Sequence, residues 1–507
     1  MQNMEYFYIM WYIKKNVLKM EGIKGIMSEN KTMMQYFEWY LKPEEKLWKK
    51  VADEAKKIAN LGITEVWLPP AYKAAGGNQD TGYAVYDLYD LGEFNQKGSI
   101  ETKYGSKDEY LKALEELHKN NIKVYADIVL NHKIGADESE IVYAKEQNAQ
   151  DRNENTTEFK QIIAWTKYNF PNRNNKYSDF KWNQNHFDGT DWDEKNRKSA
   201  VYRFGGKHWD ENVDKENGNY DYLMGADIDF NNTEVVEELK KWGKWYLNFT
   251  NVDAFRLDAV KHISTDFVSK WIKSMKEEKN IKCVGEYWSK NRDSLNNYLE
   301  KTDYEIPLFD VPLHYNLYDA SNSNGNYDMA KILENTLVKQ YPGLAVTFVD
   351  NHDTQPGQAL FSWVQEWFKP LAYAITLLRR EGLPCIFYGD FYGIPSHNIK
   401  PMEKSLESLI RLRKDFAYGE QIDYFDDFNI ISWVRTGDDE HINSGLVVIM
   451  SDGPGGGKTI NVGSRLSNSI FYDYTGNIKE TVYVDAEGNG IFYCNGGSVS
   501  VWVRKEH

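Results

Sequence analysis

From about residue 33 onward, short apolar runs alternate with stretches of helical pattern, and few architectures accept such a rhythm. The runs fall at 34–39, 65–68, 124–129, 252–257, 283–287, 307–311, 345–349 and 385–388. Strand and amphipathic helix in turn are the pattern of a parallel α/β protein. Eight such runs match a closed barrel better than an open sheet. Between the first two, Leu47, Val51, Ala55 and Ile58 form one apolar stripe that stops at Gly62, as a helix facing a core requires. A later helix opens on a capping box, Ser106-x-x-Glu109, in which side chain and backbone satisfy each other's donors.

The alternation breaks after the third run. Residues 131–233 are rich in Asp, Asn, Gly and Trp and lack a helical period. A stretch of that length is too long for a simple loop and reads as an inserted, loop-rich or β domain. Regular alternation resumes at Thr233, read as the N-cap of a helix bearing Val236, Leu239 and Trp242. After about residue 418 helices cease, and 430–434, 445–450, 481–484 and 499–503 alternate in period two between Gly/Asn/Asp turns. The fold class is therefore α/β: a (β/α)8 TIM barrel at 27–130 and 234–417, an insertion at 131–233 after the third strand, and an all-β, Greek-key-like C-terminal sandwich at 418–507. A chain of 507 residues is long enough to need such a division.

Residues 1–26 fit none of this. The apolar stretch 4–13 is too short to span a bilayer, and Lys14, Lys15 and Lys19 follow it instead of preceding it, the wrong order for a secretory signal. They are read as an extension without a defined fold, with translation starting at Met27; a degenerate signal peptide is the alternative. Three cysteines, Cys283, Cys385 and Cys494, form neither a disulfide framework nor a metal-ligand spacing. A low, odd count suits a reducing compartment, so a cytoplasmic location is expected, with secretion as the alternative. The formal charge of −15 would be repelled by phosphates, which argues against nucleic acid and anionic membrane as partners.

Three acidic residues stand at the C-terminal ends of expected strands, where barrel enzymes keep their active sites: Asp258, Glu286 and Asp353. For any one alone, a helix cap is the simpler reading. Three on one rim, with His132, His352 and Arg256 beside them, make that reading poor. Arg256 precedes Asp258 by two residues, so the pleat puts both on one face. Its guanidinium is expected to hold the carboxylate ionised and depress its pKa, as a nucleophile needs. Val284, Tyr287 and Trp288 surround Glu286, and an apolar wall would raise its pKa as a general acid needs. Carboxyls pushed apart in this way are the signature of glycoside cleavage.

The chain resembles glycoside hydrolase family 13, the α-amylase family, along nearly all of residues 30–507. Four motifs carry the resemblance: Asp127-Ile-Val-Leu-Asn-His132, Phe255-Arg-Leu-Asp-Ala-Val-Lys-His262, Gly285-Glu-Tyr-Trp288 and Phe348-Val-Asp-Asn-His-Asp353. Finer resemblance, to the liquefying-type bacterial enzymes and their cytoplasmic relatives, rests on Met34-Gln-Tyr-Phe-Glu-Trp-Tyr40, Tyr86-Asp-Leu-Tyr-Asp-Leu-Gly-Glu-Phe94, Tyr222-Leu-Met-Gly-Ala-Asp-Ile-Asp229 and Asn495-Gly-Gly-Ser-Val-Ser500. The resemblance implies an endo-acting hydrolase of α-1,4-glucans that acts as a monomer. It makes Asp258 the nucleophile, Glu286 the acid and then base, and Asp353 the residue that holds sugar hydroxyls and aids ring distortion. His132 and His352 would bind hydroxyls of the same sugar, Tyr83 would stack on it, and Lys261 and Trp288 would face the substrate, with Asp127 structural.

It also implies structural calcium, held by Asn131, Asp221, Asp227 and the main-chain oxygen of His262. Asp188, Asp210, Asp227 and Asp229 match a further calcium or sodium cluster, although Asn231 stands where an acid is usual. At an interdomain site that would use Asp452, Asn429 again replaces an acid, and no ion is expected there. Gly453-Pro-Gly-Gly-Gly-Lys-Thr459 imitates a phosphate-binding loop but has Asp452 where glycine is needed and no helix to follow; it reads as a turn. A transglycosylase or an exo-acting maltooligosaccharide hydrolase of the same family is the rival assignment. Carboxylate-free transporter subunits are set aside by the intact triad.

Overall fold

A computed structural model describes residues 30–505; the extension at 1–26 and the start at Met27 lie outside the described residues. Eight strands close a barrel. They are β1 (Met33–Gln35), β2 (Glu65–Leu68), β3 (Lys123–Ile128), β4 (Ala254–Leu257), β5 (Lys282–Gly285), β6 (Leu308–Phe309), β7 (Ala345–Phe348) and β8 (Leu383–Phe387). Each pairs with its neighbours in chain order and β8 returns to β1, with parallel pairing wherever the register is defined. β2, β4 and β7 are buried at every position, which is why they read as unbroken apolar runs. The expected sixth strand, 307–311, shortens to two residues for a local reason. Asp310 accepts from the backbone N–H of Leu313 at 3.1 Å, and Pro312 sits in the first turn of the helix Val311–Asn322, where its missing donor costs nothing.

The described residues fall into two compact units, one of them Gln35–Asn60 with Thr64–Leu308. In it the helix Leu47–Leu61 buries Leu47, Val51, Ala55 and Ile58, and the capping box of Lys107–Lys119 is present on Ser106 and Glu109. The next expected cap moves by one position: Asn232 is the N-cap, accepting from the N–H of Glu234, and Thr233 is the first helical residue. Asn232 precedes a good helical run as well as Thr233 does, and its Oδ1 accepts from the N–H two residues on.

The interrupted region of this unit is a six-stranded antiparallel sheet, ordered His132–Lys133, Ala226–Ile228, Phe187–Asp193, Lys198–Phe204, Glu138–Gln147, Lys160–Lys167. The chain enters it directly after β3 and leaves through the strand beside its entry. Asp227 there pairs with His132. One register thus brings an early motif and a residue about a hundred positions later to the same end of the barrel.

In the other unit the chain after residue 420 forms a six-stranded sheet and a two-stranded one. Val447, Ile449, Ile460, Phe471, Phe492 and Trp502 share the apolar core of these strands, so the all-β expectation is met. The imitation phosphate loop runs into the strand Gly456–Asn461, antiparallel to Asn489–Cys494, and Lys458 donates to the carbonyl of Ile430 at 3.0 Å. No α-helix follows it among the described residues. All three cysteines are buried and free, and burial pushes the Cys283 thiol up to about 12.

Candidate active site

Strand register assembles the centre. Arg256 on β4 lies opposite Asp127 on β3, and its guanidinium, wholly buried, is the hub of three carboxyls. Nη1 donates to Asp127 Oδ1 at 2.9 Å and to Asp258 Oδ1 at 2.5 Å, while Nη2 is 2.9 Å from Glu286 Oε2. Its other face lies over the Trp67 ring, 4.7 Å from the centroid. Asp127 also accepts from Trp67 Nε1 at 2.9 Å and from the Tyr83 hydroxyl at 2.8 Å. It faces no open space, which fits the structural role read from sequence. Glu286 Oε2 further accepts from the N–H of Ala259 at 3.0 Å. Ala259 holds φ +49, a left-handed conformation that costs a non-glycine residue about 1 kcal/mol. That turn aims the amide following Asp258 back at Glu286, and an alanine gives no sequence signal for it.

The protonation pattern corrects one expectation. Burial raises the Asp258 pKa more than Arg256 lowers it, and the carboxyl is pushed up to about 6, with Asp127 adding to the rise. The favourable pair was visible from the i, i+2 spacing, whereas the burial of the whole cluster is not a local property of the sequence. Glu286 is raised as expected, first by burial, against Arg256 and with the Asp258 charge in support. The apolar wall is thus only part of its environment, since a guanidinium touches it.

Around this hub, Tyr83 is half-buried and stacks on Trp39, ring centroids 5.8 Å apart and 7° from parallel; Trp39 was not singled out from sequence. His132 is buried, donates from Nε2 to the Tyr83 carbonyl at 3.0 Å, and is held neutral by burial, its pKa lowered to about 4. Lys261 pairs with Glu216 and donates to the Trp288 carbonyl at 3.3 Å. His262 donates from Nδ1 to the Tyr220 carbonyl at 2.7 Å. In the other unit Asp353 follows β7 and is partly exposed, with His352 Nε2 3.4 Å from its Oδ2. Asn351 Oδ1 accepts from the N–H groups of both Asp353 and Thr354, which fixes that turn.

Asp188, Asp221 and Asp227 bring carboxylate oxygens within 4.8 Å of one another, all buried. Asp188 Oδ2, Asp227 Oδ2, Asp210 Oδ2 and both side-chain atoms of Asn131 are buried without a hydrogen-bond partner. Burial and mutual repulsion raise Asp188, Asp221 and Asp227 far above the carboxylate range, and Asp210 to about 6. Buried anionic oxygens from separate segments, left without donors, fit a hard cation. Asp229 differs, because the Lys207 ammonium pairs with it. The two asparagines flagged from sequence act as donors: Asn231 Nδ2 to Asp210 Oδ1 at 2.7 Å, and Asn429 Nδ2 to Asp452 Oδ1 at 2.8 Å and to the Gly325 carbonyl at 2.9 Å.

Residues 48–447 match the family model described as alpha amylase, catalytic domain, and residues 446–503 match the alpha-amylase C-terminal model. The chain is 55% identical to an alpha-amylase of Geobacillus stearothermophilus, across 95% of this chain and 88% of that one. It is 52% identical to a glucan 1,4-alpha-maltohexaosidase of Bacillus sp. (strain 707), across 94% and 93%. To the cytoplasmic alpha-amylase of Escherichia coli (strain K12) it is 44% identical, across 94% and 99%.

Proposed function

Because the chain belongs to the α-amylase family and hydrolyses starch-type α-1,4 bonds, we propose that it is endo-acting, with Asp258 as nucleophile and Glu286 as acid and base. The observation that supports the roles is the shared guanidinium: Arg256 contacts both Asp258 and Glu286, which gathers at one centre the two carboxyls that a double displacement uses. Asp258 attacks the anomeric carbon as the glycosidic C–O bond breaks, and Glu286 delivers its proton to the leaving oxygen. Glu286 then takes a proton from water, whose oxygen replaces Asp258 at the same carbon, so the α configuration returns. Asp353 and His352 bind hydroxyls of the cleaved sugar, neutral His132 does the same, Tyr83 stacks on its ring, and Lys261 and Trp288 line the leaving-group side. The barrel at 27–130 and 234–417, the insertion at 131–233 and the C-terminal sandwich at 418–507 are the working parts.

An ionised nucleophile with a carboxyl at about 6 sets the acid limb of the pH profile. kcat/KM for a short maltooligosaccharide is expected to fall about tenfold per pH unit below 6, since only the deprotonated form attacks. A rate flat down to pH 4 would remove that assignment.

Calcium is the ion proposed for Asn131, Asp221, Asp227 and the main-chain oxygen of His262, with a second calcium or sodium at Asp188, Asp210, Asp227 and Asp229 made weaker by Asn231. A bound cation supplies charge compensation and ties the insertion to the barrel; no chemical step passes through it. Chelation is expected to lower the melting temperature by roughly 10 °C. The loss should be larger at pH 8 than at pH 5. Asp188, Asp210, Asp221 and Asp227 have folded pKa values above their unfolded ones, so without the ion stability is lost as pH rises from about 4 through 6 and beyond. Equal melting with and without chelator, followed by calorimetry at both pH values, would remove the proposal.

No helix among the described residues is long and apolar enough to cross a membrane. The cytoplasm, which the name of the Escherichia coli relative gives for that enzyme, is the proposed setting, with the protein acting as a monomer. The test of endo-action is the time course of products from soluble starch. Rapid loss of iodine colour with few new reducing ends, then mixed maltooligosaccharides, is expected. A single oligosaccharide from the start would favour an exo-acting, maltohexaosidase-like reading, which the Bacillus relative supports. Redistribution of short chains without net hydrolysis would mean a transferase.

A further inference from the structure

The motif Phe348-Val-Asp-Asn-His-Asp353 holds a second acid that the reaction does not use. Asp350 follows β7 and is buried, as are Thr354, Lys369, Tyr373 and Asp390. A carboxylate so far out of water is costly unless it is paired and hydrogen-bonded. Lys369, at the start of the helix Lys369–Leu378, answers it with Nζ 2.7 Å from Asp350 Oδ2. The same ammonium pairs with Asp390 of the short helix Tyr388–Tyr392 and lies over the Trp363 ring. Tyr373, one turn beyond Lys369, donates its hydroxyl to Asp390 Oδ2 at 2.5 Å. One cation thus serves two carboxylates, one anion more than neutrality asks. A cluster kept only for stability gains nothing from that surplus, since apolar packing of similar volume is often as good or better.

The surplus carboxylate reaches the turn that carries Asp353. Asp350 Oδ1 accepts from the Thr354 hydroxyl at 2.9 Å. That hydroxyl has given its one proton to an anion, so a lone pair faces the Asn351 N–H, also at 2.9 Å. Asn351 Oδ1 then accepts from the N–H groups of Asp353 and Thr354 at 2.8 and 2.9 Å. The hydroxyl has a rival acceptor in the Asn351 carbonyl at 3.3 Å, and the charge on Asp350 decides between them. We propose that Asp350, Thr354 and Lys369 are positioning residues for the glycosidic step: the buried ion pair sets the Thr354 hydroxyl, and the hydroxyl sets the pose in which Asp353 meets the sugar. This rests on the reading of Asp353 given above, as the residue that binds hydroxyls of the cleaved sugar. Because that contact strengthens as the ring distorts, a loosened turn lowers kcat more than it raises KM.

The test is steady-state kinetics of the full chain on a maltooligosaccharide, with the melting temperature of every variant read alongside. Asp350→Asn leaves Lys369 paired with Asp390 and removes the surplus charge, so melting is expected to hold within about 2 °C. Its single amide oxygen cannot serve both Lys369 and Thr354, and kcat should fall roughly 30-fold with KM within about twofold. Thr354→Val, of the same shape without the hydroxyl, should show the same split, and Thr354→Ser should recover most of the rate. Thr354→Val combined with Asp353→Asn should be no slower than Asp353→Asn alone, because a residue that acts through Asp353 then has nothing left to position. Losses that multiply in the double variant would overturn the proposal, as would a kcat within about threefold of wild type in both single variants. Should Asp350→Asn fail to fold, the cycle on Thr354 decides alone. Full activity in Asp353→Asn would instead overturn the reading of Asp353 itself.

Discussion

Asp258→Asn yields a folded protein that still binds glucan and turns over starch at least about 10⁴-fold more slowly. The amide keeps the shape of the side chain but has no carboxylate to attack the anomeric carbon. Folding survives because Arg256 keeps its contacts to Asp127 and Glu286, so the buried guanidinium is not stranded. The change reaches the acid as well. Asp258 contributes to the raised pKa of Glu286; with that charge gone, Glu286 loses its proton at lower pH, and any residual rate should have its basic limb shifted downward. Melting temperature, glucan affinity and initial rates at several pH values measure the three parts separately. A kcat within tenfold of wild type would show that another residue is the nucleophile, and a collapsed melting curve would show that the carboxylate is structural.

How much of this was legible beforehand follows from where the controlling physics lies. The barrel strands were readable because burial on both faces leaves an unbroken apolar run, and β2 and β7 came within a residue of their observed limits. β6 was overestimated, because the apolar run 307–311 contains a helix start that only Asp310 and Pro312 announce. The insertion was legible as an interruption but not as a sheet. Glu138–Gln147 interleaves charged and apolar residues on a half-exposed ribbon, and one of its partners, Lys198–Phe204, is remote in sequence. At the centre, the pairing of Arg256 with Asp258 followed from the pleat, whereas Asp127 and Glu286 join through register with the two neighbouring strands, one of them more than a hundred residues earlier in the chain. That is also why the Asp258 pKa was read with the wrong sign. A local neighbour can be seen in the sequence; desolvation by the whole barrel end cannot. Asn231 and Asn429 were legible as departures from the family pattern, and their amides now donate where an acid would have called for an ion.

The same hub carries the largest expected effect on stability. Arg256→Met removes the single cation between Asp127, Asp258 and Glu286, all buried, and strips the Trp67 face of its guanidinium. Three carboxyls then share a dry site in which Trp67, Tyr83 and the Ala259 amide donate but carry no charge. Breaking a buried pair by removing one partner costs about 3–5 kcal/mol, and melting is expected to fall by roughly 10 °C. The loss has a pH signature. Without Arg256, which lowers all three pKa values, the folded values rise further above the unfolded ones. The unfolded chain therefore binds fewer protons over the window from about 4 upward, and the variant's stability declines as pH increases through it. The deficit relative to wild type is thus expected to be smaller at pH 5 than at pH 8. Arg256→Lys separates charge from geometry: an ammonium restores much of the stability but cannot reach three carboxyls in one plane, so activity stays low while melting recovers. A methionine variant that melts within about 2 °C of wild type at both pH values would mean that the carboxyls are already protonated and the guanidinium orients them without neutralising them.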